Sequence, residues 1–374
     1  MARRAEIDAE IDAGHMRTAL GLARRGLGRV WPNPAVGCVI VAEGVVVGRG
    51  WTQPGGRPHA ETMALDVAGA RARGAVAYVT LEPCAHVGRT PACAAELAAA
   101  GIARVVATIP DPDPRVSGKG YAMLRAAGVE VATGLLAAEA AALNAGFLSR
   151  IGRGRPRLTL KLATSLDGRI ATADGESRWI TGPLARREVH LMRATSDAVL
   201  VGSGTARADD PRLDVRDIGL GDRQPVRVVV AGALGLSRDS HLGRSAGEAP
   251  LWLAHHAEAA PARRAAWTER GATLIEVPFQ PDGQLDLGAL FQELGARGLT
   301  RVLCEGGGRL AGALLAADLV DEVVAFVAGL ALGGEGVAAV GAMEVAALAD
   351  APRFRLAEVS RVGGDVRARW ERAG

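Results

Sequence analysis

The sequence predicts a chain of two consecutive α/β domains. With 374 residues, the chain exceeds the length of one ordinary domain, about 100–200 residues. Valine- and leucine-rich stretches of strand length alternate with stretches of helical apolar spacing, which indicates α/β layers with a largely parallel sheet. The alternation is interrupted by a basic run with glycine and proline at 150–157. We therefore predict domains over residues 1–150 and 151–374.

The first domain begins with apolar residues at helical spacing, which a Trp-Pro-Asn-Pro turn at 31–34 ends. Two valine-rich segments around Glu43-Gly44 then predict a hairpin. The predicted elements are a helix over 6–27, strands over 36–41 and 45–47, a helix over 59–72, a strand over 75–81, a helix over 92–100, a strand over 104–109, a helix over 121–127 and a strand over 129–132.

The second domain repeats the alternation of strands and helices without a fixed period. Its predicted elements are strands over 158–162, 198–202, 226–230, 251–254, 273–277, 301–304 and 322–327, with helices over 183–194 and from Leu310. This pattern again predicts an α/β domain.

Composition excludes several classes of protein. With a formal net charge of +3, the chain lacks the strongly positive electrostatic field that attracts nucleic acid. Four cysteines in a chain of this length do not form a secreted disulfide framework. Acidic residues follow the N-terminal arginines where a signal peptide would be apolar, and no apolar run reaches the roughly 18 residues of a membrane span. We expect a cytoplasmic protein that binds neither nucleic acid nor membranes.

Four residues of the first domain have the types and spacing of a catalytic zinc site. His59 and Glu61 lie two residues apart at a predicted helix start, and Cys84 and Cys93 follow a strand. One imidazole and two thiolates leave a fourth zinc position open, where bound water has a pKa of about 7. Glu61 is placed to transfer protons to the ring and to the leaving ammonia. The H-x-E and P-C pattern is typical of zinc deaminases, so we predict hydrolytic deamination of a base.

Each of these residues has a simpler explanation when it is considered alone. A histidine at a helix start is more often a surface residue, and a single cysteine is more often a small buried apolar residue. A structural zinc site would need a fourth protein ligand, for which His86 is the candidate. The combination favours catalysis, because a structural site has no use for Glu61.

Two glycine-containing turns are the clearest feature of the second domain. Gly306, Gly307 and Gly308 connect a strand to a helix, and a second turn covers residues 202–205. Amide groups at such helix starts can bind a phosphate. The pattern is not G-x-G-x-x-G, so no Rossmann unit is predicted. One such turn is also explained by the ordinary preference of tight turns for glycine. Two such turns in one domain favour a binding site for a dinucleotide.

The spacing of the cysteines departs from the usual C-x-x-C, because eight residues separate Cys84 from Cys93. With the stretch EPCAHVGRTPAC at 82–93, the sequence resembles the bifunctional deaminase–reductases of riboflavin biosynthesis. Further matching motifs cover nearly the whole chain in the family's order: PNPAVG at 32–37, PHAE at 58–61, LKLATSLDG at 160–168, GESRWIT at 175–181, ADDPRL at 208–213 and EGGG at 305–308.

The resemblance implies a cytidine-deaminase-like α/β/α sandwich followed by a dihydrofolate-reductase-like α/β domain. The implied reactions are deamination of 2,5-diamino-6-ribosylamino-4(3H)-pyrimidinone 5′-phosphate, a phosphorylated pyrimidine, and reduction of its ribosyl group to ribityl with NADPH. Asn33 would contact the pyrimidine in the first domain. Lys161 would assist hydride delivery in the second. The family also implies a homo-oligomer that forms through the reductase domain.

The same resemblance assigns binding roles in the second domain. The implied cofactor contacts are Ala163, Trp179, Thr205, Asp209, Gly307, Gly308, Arg309, Leu310, Ala311, Gly312 and Ala313. The implied substrate contacts are Ser177, Arg193, Leu213, Arg216 and Glu305. Arg193 and Arg216 suit the substrate phosphate, because guanidinium binds phosphate bidentately. Arg207 and Arg309 are the candidates for the 2′-phosphate of NADPH.

Two other functions stay open from the residues alone. One is a nucleic-acid base deaminase with an unrelated second domain, against which stand the long cysteine spacing and the lack of aromatic stacking platforms. The other is a zinc-stabilised binding protein without activity, against which the intact Glu61 argues.

Overall fold

The computed structural model of the protein describes residues 2–86, 91–280 and 283–373, with side chains from residue 9 onward. The chain divides into two compact units, Met1–Gly154 and Arg155–Gly374. Residues 87–90 of the predicted cysteine loop lie outside the described residues. Across the described ranges, every helix is too short or too polar to cross a membrane.

The first unit contains one five-stranded sheet in the order β2-β1-β3-β4-β5. Its elements are α1 (Ala2–Ala23), β1 (Gly37–Ala42), β2 (Val45–Trp51), α2 (Ala60–Ala68), β3 (Val76–Val79), α3 (Cys93–Ala99), β4 (Arg104–Ala107), α4 (Lys119–Ala126), β5 (Glu130–Ala132), α5 (Ala137–Leu143) and α6 (Ala145–Arg153). β1 is antiparallel to β2 and β3, whereas β3, β4 and β5 are parallel. The predicted hairpin is confirmed, with a longer second strand.

Helices cover both faces of this sheet, because side chains of successive strand residues point to opposite faces. Cys38 and Ile40 of β1 pack with α2, α3, α4 and α6 in one core. Val39 and Val41 pack with α1 and α5 in a second core. The first unit is therefore an α/β/α sandwich, as predicted.

The second unit contains a nine-stranded sheet. Its elements are β6 (Arg157–Thr164), β7 (Arg169–Ala171), α7 (Pro183–Ala194), β8 (Ala198–Gly202), α8 (Ser203–Asp209), β9 (Val226–Val230), α9 (His241–Arg244), β10 (Leu251–His255), α10 (Pro261–Glu269), β11 (Thr273–Glu276), α11 (Leu287–Ala296), β12 (Arg301–Cys304), α12 (Gly308–Ala316), β13 (Glu322–Val327), β14 (Val337–Ala338), β15 (Phe354–Val362) and β16 (Asp365–Arg372).

The order of this sheet is β11-β10-β9-β8-β12-β6-β13-β16-β15. Strands from β11 to β13 are parallel, and β16 and β15 extend the sheet as an antiparallel hairpin. The central parallel strands β8, β9, β10 and β12 are nearly fully buried, for example at Val199 and Leu253. Continuous apolar strands are typical of a parallel sheet covered on both faces, which explains why the sequence reveals them.

Some elements were not predicted, and their polarity explains why. The β15–β16 hairpin carries cross-strand ion pairs, including Arg355 with Glu371 at 2.9 Å, which interrupt its apolar pattern. α6 extends into the basic run, with Arg150 and Arg153 in its last turn. Residues 150–153 of the basic run are therefore helical, which its composition did not indicate, because α6 buries Phe147 on its apolar face.

Candidate active sites

Three segments bring the predicted metal ligands of the first unit together. His59 is the residue immediately before α2, Cys84 lies in the loop after β3, and Cys93 is the first residue of α3. The His59 Nδ1 atom lies 3.2 Å from Cys93 Sγ and 3.7 Å from Cys84 Sγ. All three donor atoms lie within 4.8 Å of one another. Such proximity is what a shared metal ion requires.

The two thiols differ in their protonation. A hydrogen bond with Cys93 lowers the pKa of Cys84 to about 4, and the Cys93 main-chain N–H also donates to Cys84 Sγ over 3.3 Å. The hydrogen bond with Cys84, followed by burial, raises the pKa of the Cys93 thiol. Nitrogen and thiolate donors in this number are the ligand set of catalytic zinc sites. The three residues therefore fit zinc.

Glu61 lies in the first turn of α2 and is only 4% exposed. Burial raises the pKa of Glu61 to about 7, although the neighbouring charge of His59 and a hydrogen bond with Cys93 act in the opposite direction. Glu61 therefore lies close to His59 and Cys93, two of the predicted metal ligands. A buried carboxyl group beside a metal site is suited to proton transfer.

Glu82, two residues before Cys84, is a buried residue to which sequence reasoning gave no role. Its carboxylate accepts hydrogen bonds from the main-chain N–H groups of Asp111, Gly118, Gly120 and Tyr121, at 2.9–3.3 Å. It therefore fixes the 111–121 segment against the loop that carries Cys84. The acidic residue directly before Pro-Cys was the available signal.

Asn33, the predicted pyrimidine contact, is half-buried in the turn after α1. Its side chain packs on the 54–56 turn, where a β-carbon on Gly56 would lie 1.8 Å from Asn33 Nδ2. Only glycine permits this approach. The packing holds Asn33 beside the segment that leads into His59.

The second unit has a cluster of charged residues around Glu305, which directly follows β12. Arg193 of α7 donates from Nε to Glu305 Oε1 over 2.6 Å and from Nη2 to Oε2 over 3.0 Å. Lys161 of β6 places Nζ 4.0 Å from Glu305 Oε2. Burial lowers the pKa of Lys161. Although burial alone would raise the pKa of Glu305, Arg193 and Lys161 hold it below its ordinary value.

The two glycine-containing turns of this unit are joined by a hydrogen bond. The Gly307 N–H donates to Thr205 Oγ1 over 2.8 Å, so the ends of β8 and β12 are linked. Trp179, another predicted cofactor contact, is 65% exposed, with the Arg186 guanidinium 4.5 Å from its ring centre. Burial raises the pKa of Asp209 at the end of α8. Thr205 and Gly307 thus lie together, as a shared cofactor site needs.

The other predicted cofactor contacts are spread over the same unit. On β6, Ala163 is half-buried. On α12, the exposed residues are Arg309 and Ala313, and Leu310 is half-buried. The buried residues of α12 are Gly308, Ala311 and Gly312. Three further predicted substrate contacts differ in exposure, and two of them flank Asp214, whose main-chain oxygen accepts a hydrogen bond from Arg193 of the Glu305 cluster. Leu213 is 2% exposed and packs in a hydrophobic core, Arg216 is exposed and ion-paired with Asp214, and Ser177 is half-buried.

Comparisons with known proteins agree with this division. Residues 9–109 match the family described as the cytidine and deoxycytidylate deaminase zinc-binding region, and residues 156–368 match the RibD C-terminal domain. The protein thus belongs to the class of two-domain enzymes that join a zinc deaminase to a reductase.

Relatives identify the family. The chain is 46% identical to the riboflavin biosynthesis protein RibD of Escherichia coli K12, over 95% of this chain and 98% of that protein. The structure of Acinetobacter baumannii RibD has a TM-score of 0.87 at 39% identity and covers 98% of this chain and 100% of its own. A Thermotoga maritima deaminase/reductase has a TM-score of 0.85 at 32% identity, with 98% and 100% covered.

The chain belongs to the RibD family of bifunctional riboflavin-biosynthesis enzymes. The predicted family, the predicted fold class and the predicted combination of deaminase and reductase are confirmed, with zinc and NADPH as the cofactors. Neither a nucleic-acid base deaminase nor an inactive binding protein is favoured.

Proposed function

We propose that the first unit deaminates 2,5-diamino-6-ribosylamino-4(3H)-pyrimidinone 5′-phosphate and that the second unit reduces the ribosyl group of the product to ribityl with NADPH. The observation that carries the proposal is the convergence of His59, Cys84 and Cys93 beside the buried Glu61. The second unit supports it with a buried charged cluster next to two linked glycine-containing turns.

In the first unit, His59, Cys84 and Cys93 would hold zinc, which when bound supplies the Lewis acidity that activates water at neutral pH. Glu61 takes one proton from the attacking water and delivers it to the ring nitrogen, and it then takes a second proton from the added hydroxyl group and delivers it to the departing ammonia. Asn33 binds the edge of the pyrimidine and orients the carbon that carries the amine. Burial of Glu61 keeps solvent from competing for the proton.

In the second unit, Glu305 and Lys161 face the reacting sugar. NADPH supplies a hydride when bound. The Lys161 ammonium stabilises negative charge that develops at the sugar, and Glu305 keeps Lys161 charged. Arg193 is held by Glu305 and by the Asp214 main-chain oxygen at 2.9 Å. To bind the substrate phosphate, Arg193 would therefore have to break some of these hydrogen bonds. Arg216, the other arginine predicted to bind the phosphate, is exposed.

Further parts of the proposal concern the assembly. We expect the two activities to separate near residue 150, because each unit has its own core. A cytoplasmic location fits a phosphorylated substrate and the sparse cysteines. A homo-oligomer that forms through the second unit is an expectation from the family.

The decisive experiment incubates the full chain with the diaminopyrimidinone phosphate, with and without NADPH, and identifies the products by mass. Without NADPH, only the deaminated product is expected. With NADPH, the ribityl product should accumulate and NADPH should be consumed in equal amount. Reduction of the undeaminated substrate, with no deamination, would contradict the proposed assignment.

A further inference from the structure

The turn that carries Asn33 leads into β1, which lies between β2 and β3 in the sheet of the first unit. Main-chain pairing of β1 begins at Gly37, opposite Trp51 of β2. Ala35 and Val36 therefore lie beyond the regular ladder, although both are buried. Buried N–H and C=O groups need hydrogen-bond partners. The partners of this segment must come from outside the ladder.

Asn144 provides both partners of Ala35. Its Oδ1 atom accepts a hydrogen bond from the Ala35 N–H over 3.0 Å, and its Nδ2 atom donates to the Ala35 oxygen over 3.1 Å. A carboxamide has an acceptor and a donor side by side, so it can pair with a main-chain residue as a neighbouring strand would. Asn144 is 3% exposed and lies at the junction of α5 and α6, 109 residues from Ala35.

Two buried threonines hold the next two residues in the same reciprocal manner. Thr52 directly follows β2: its Oγ1 accepts from the Val36 N–H over 3.0 Å, and its N–H donates to the Val36 oxygen over 2.9 Å. Thr80 directly follows β3: its Oγ1 accepts from the Gly37 N–H over 3.0 Å, and its N–H donates to the Gly37 oxygen over 3.1 Å. Three successive residues are thus each held at both main-chain groups.

The other sides of this segment are also closed. The Asn33 N–H donates to the Val30 oxygen over 3.0 Å, and the Asn33 side chain lies against Gly56. Toward α1, a β-carbon on Gly37 would lie 1.9 Å from the Ala19 oxygen, so the segment cannot move closer to that helix. The position of Asn33 is therefore fixed by contacts from several distant parts of the unit.

We propose that Asn144, together with Thr52 and Thr80, is a positioning residue for pyrimidine binding, because it fixes the main chain two residues after Asn33 and thereby orients the Asn33 amide. This role rests on the proposed deaminase function and on the pyrimidine contact of Asn33. Asn144 lies beyond residues 9–109, which match the zinc-binding region. The junction of α5 and α6 thus takes part in substrate binding, although it carries none of the metal ligands.

A positioning role and a purely structural role predict different results. A buried polar pair that only stabilises the unit would, when lost, weaken every function of that unit together. A positioning role predicts a loss in pyrimidine binding while zinc is retained, because the metal ligands lie on other segments. The two roles also differ in whether the effect depends on Asn33.

The first test measures deamination and zinc content of full-chain variants. Asn144→Asp keeps an acceptor for Ala35 but removes the donor, and Thr52→Val keeps the shape of the side chain but removes its hydroxyl group. Both should raise the KM for the diaminopyrimidinone phosphate about fivefold, the equivalent of one lost hydrogen bond. The kcat and the zinc content should stay at wild-type values. Thr52→Ser restores the hydroxyl group and should restore the KM.

Hydrogen–deuterium exchange gives a readout that needs neither substrate nor turnover. The main-chain amides of residues 35–37 should exchange faster in Asn144→Asp and in Thr52→Val than in the wild type, because the segment opens more easily. Exchange in α2 and α3, which border the metal ligands, should not change. This pattern would separate a local loosening from destabilisation of the whole unit.

A double-mutant cycle with Asn33→Ala tests whether the effect passes through Asn33. Residues that act as one unit are not additive, so Asn144→Asp should raise the KM no further in the Asn33→Ala background. Gln224→Glu is the matched control, because the Gln224 amide makes the same reciprocal pair with Val215 in the second unit. Thr18→Val, which removes an exposed hydroxyl group of α1, is the control for Thr52→Val. Neither control should change the KM for deamination.

Two results would overturn the positioning role. Unchanged exchange of residues 35–37 in both variants would mean that Asn144 and Thr52 do not hold the segment. A full further rise of KM in the Asn33→Ala background would mean that Asn144 acts independently of Asn33. If the wild type does not deaminate the diaminopyrimidinone phosphate at all, the proposed deaminase function fails, and the positioning role fails with it.

Discussion

The two candidate sites differ in how far apart their residues lie in the sequence. The donor atoms of the deaminase site come from residues 59–93 and lie within 4.8 Å of one another. The reductase cluster joins Lys161, Arg193 and Glu305, which are separated by more than a hundred residues from end to end. The first site is assembled by neighbouring elements around β3, whereas the second depends on the order of strands in a large sheet.

This difference has a chemical consequence. A metal site is defined by a few donor atoms of fixed type, so its residues cannot be exchanged without loss of the metal. A dinucleotide site is spread along a sheet edge and uses main-chain groups, so many side-chain types fit at each position. The following predictions test whether the two sites are independent and how strictly each depends on single side chains.

We expect removal of the metal to give the largest difference between the deaminase and reductase activities. Chelation should abolish deamination, because Glu61 then has no activated water to deprotonate, while reduction of pre-deaminated substrate continues. Both activities are measured on the same sample together with its zinc content, and zinc is then added back. Parallel loss of reduction would mean that the two sites are not independent.

Glu61→Gln tests the role of the buried carboxyl group. Deamination should fall about 10²- to 10⁴-fold, the usual contribution of a general acid–base. Zinc should remain bound, because the three ligands are untouched, and reduction should be unchanged. Loss of zinc in metal analysis would make Glu61 a ligand, which would contradict its assignment as a proton carrier.

Arg309→Ala and Arg207→Ala test the preference for NADPH over NADH. Both arginines are exposed near the linked turns. Loss of a charge-assisted contact to the 2′-phosphate costs about 1.5–3 kcal/mol. One variant should therefore lower the ratio of kcat/KM for NADPH to kcat/KM for NADH roughly ten- to a hundredfold. Arg297→Ala, an exposed arginine on another element, is the control. Equal use of both cofactors by the wild type would defeat the prediction.

Glu305→Gln should produce a smaller effect, seen in the pH profile of reduction. Burial lowers the pKa of Lys161, and the Glu305 charge raises it. Removal of that charge lowers the pKa further, so the ammonium loses its proton at lower pH. The alkaline limb of kcat/KM should therefore move to lower pH, while the deaminase profile of the same variant stays constant. An unmoved limb would show that Lys161 is not the titrating group.

Much of the deaminase site could be predicted from the sequence, because helix start, strand end and cysteine spacing are local signals. His59, Cys84 and Cys93 meet as expected. Glu82 was missed, since its four hydrogen bonds go to main-chain groups of residues 111–121, which carry no side-chain signature. In the second unit, the resemblance supplied residue names but not their pairing with one another.

The sequence by itself determined the α/β class, the apolar parallel strands and the donor types of the metal site, because periodicity and residue chemistry act over short distances. Tertiary structure alone decided that Arg193 is bound by Glu305, that Leu213 lies in a core and that His256 stacks on Phe279. These contacts join residues far apart in the chain. Their geometry follows from strand order and burial, which no local pattern encodes.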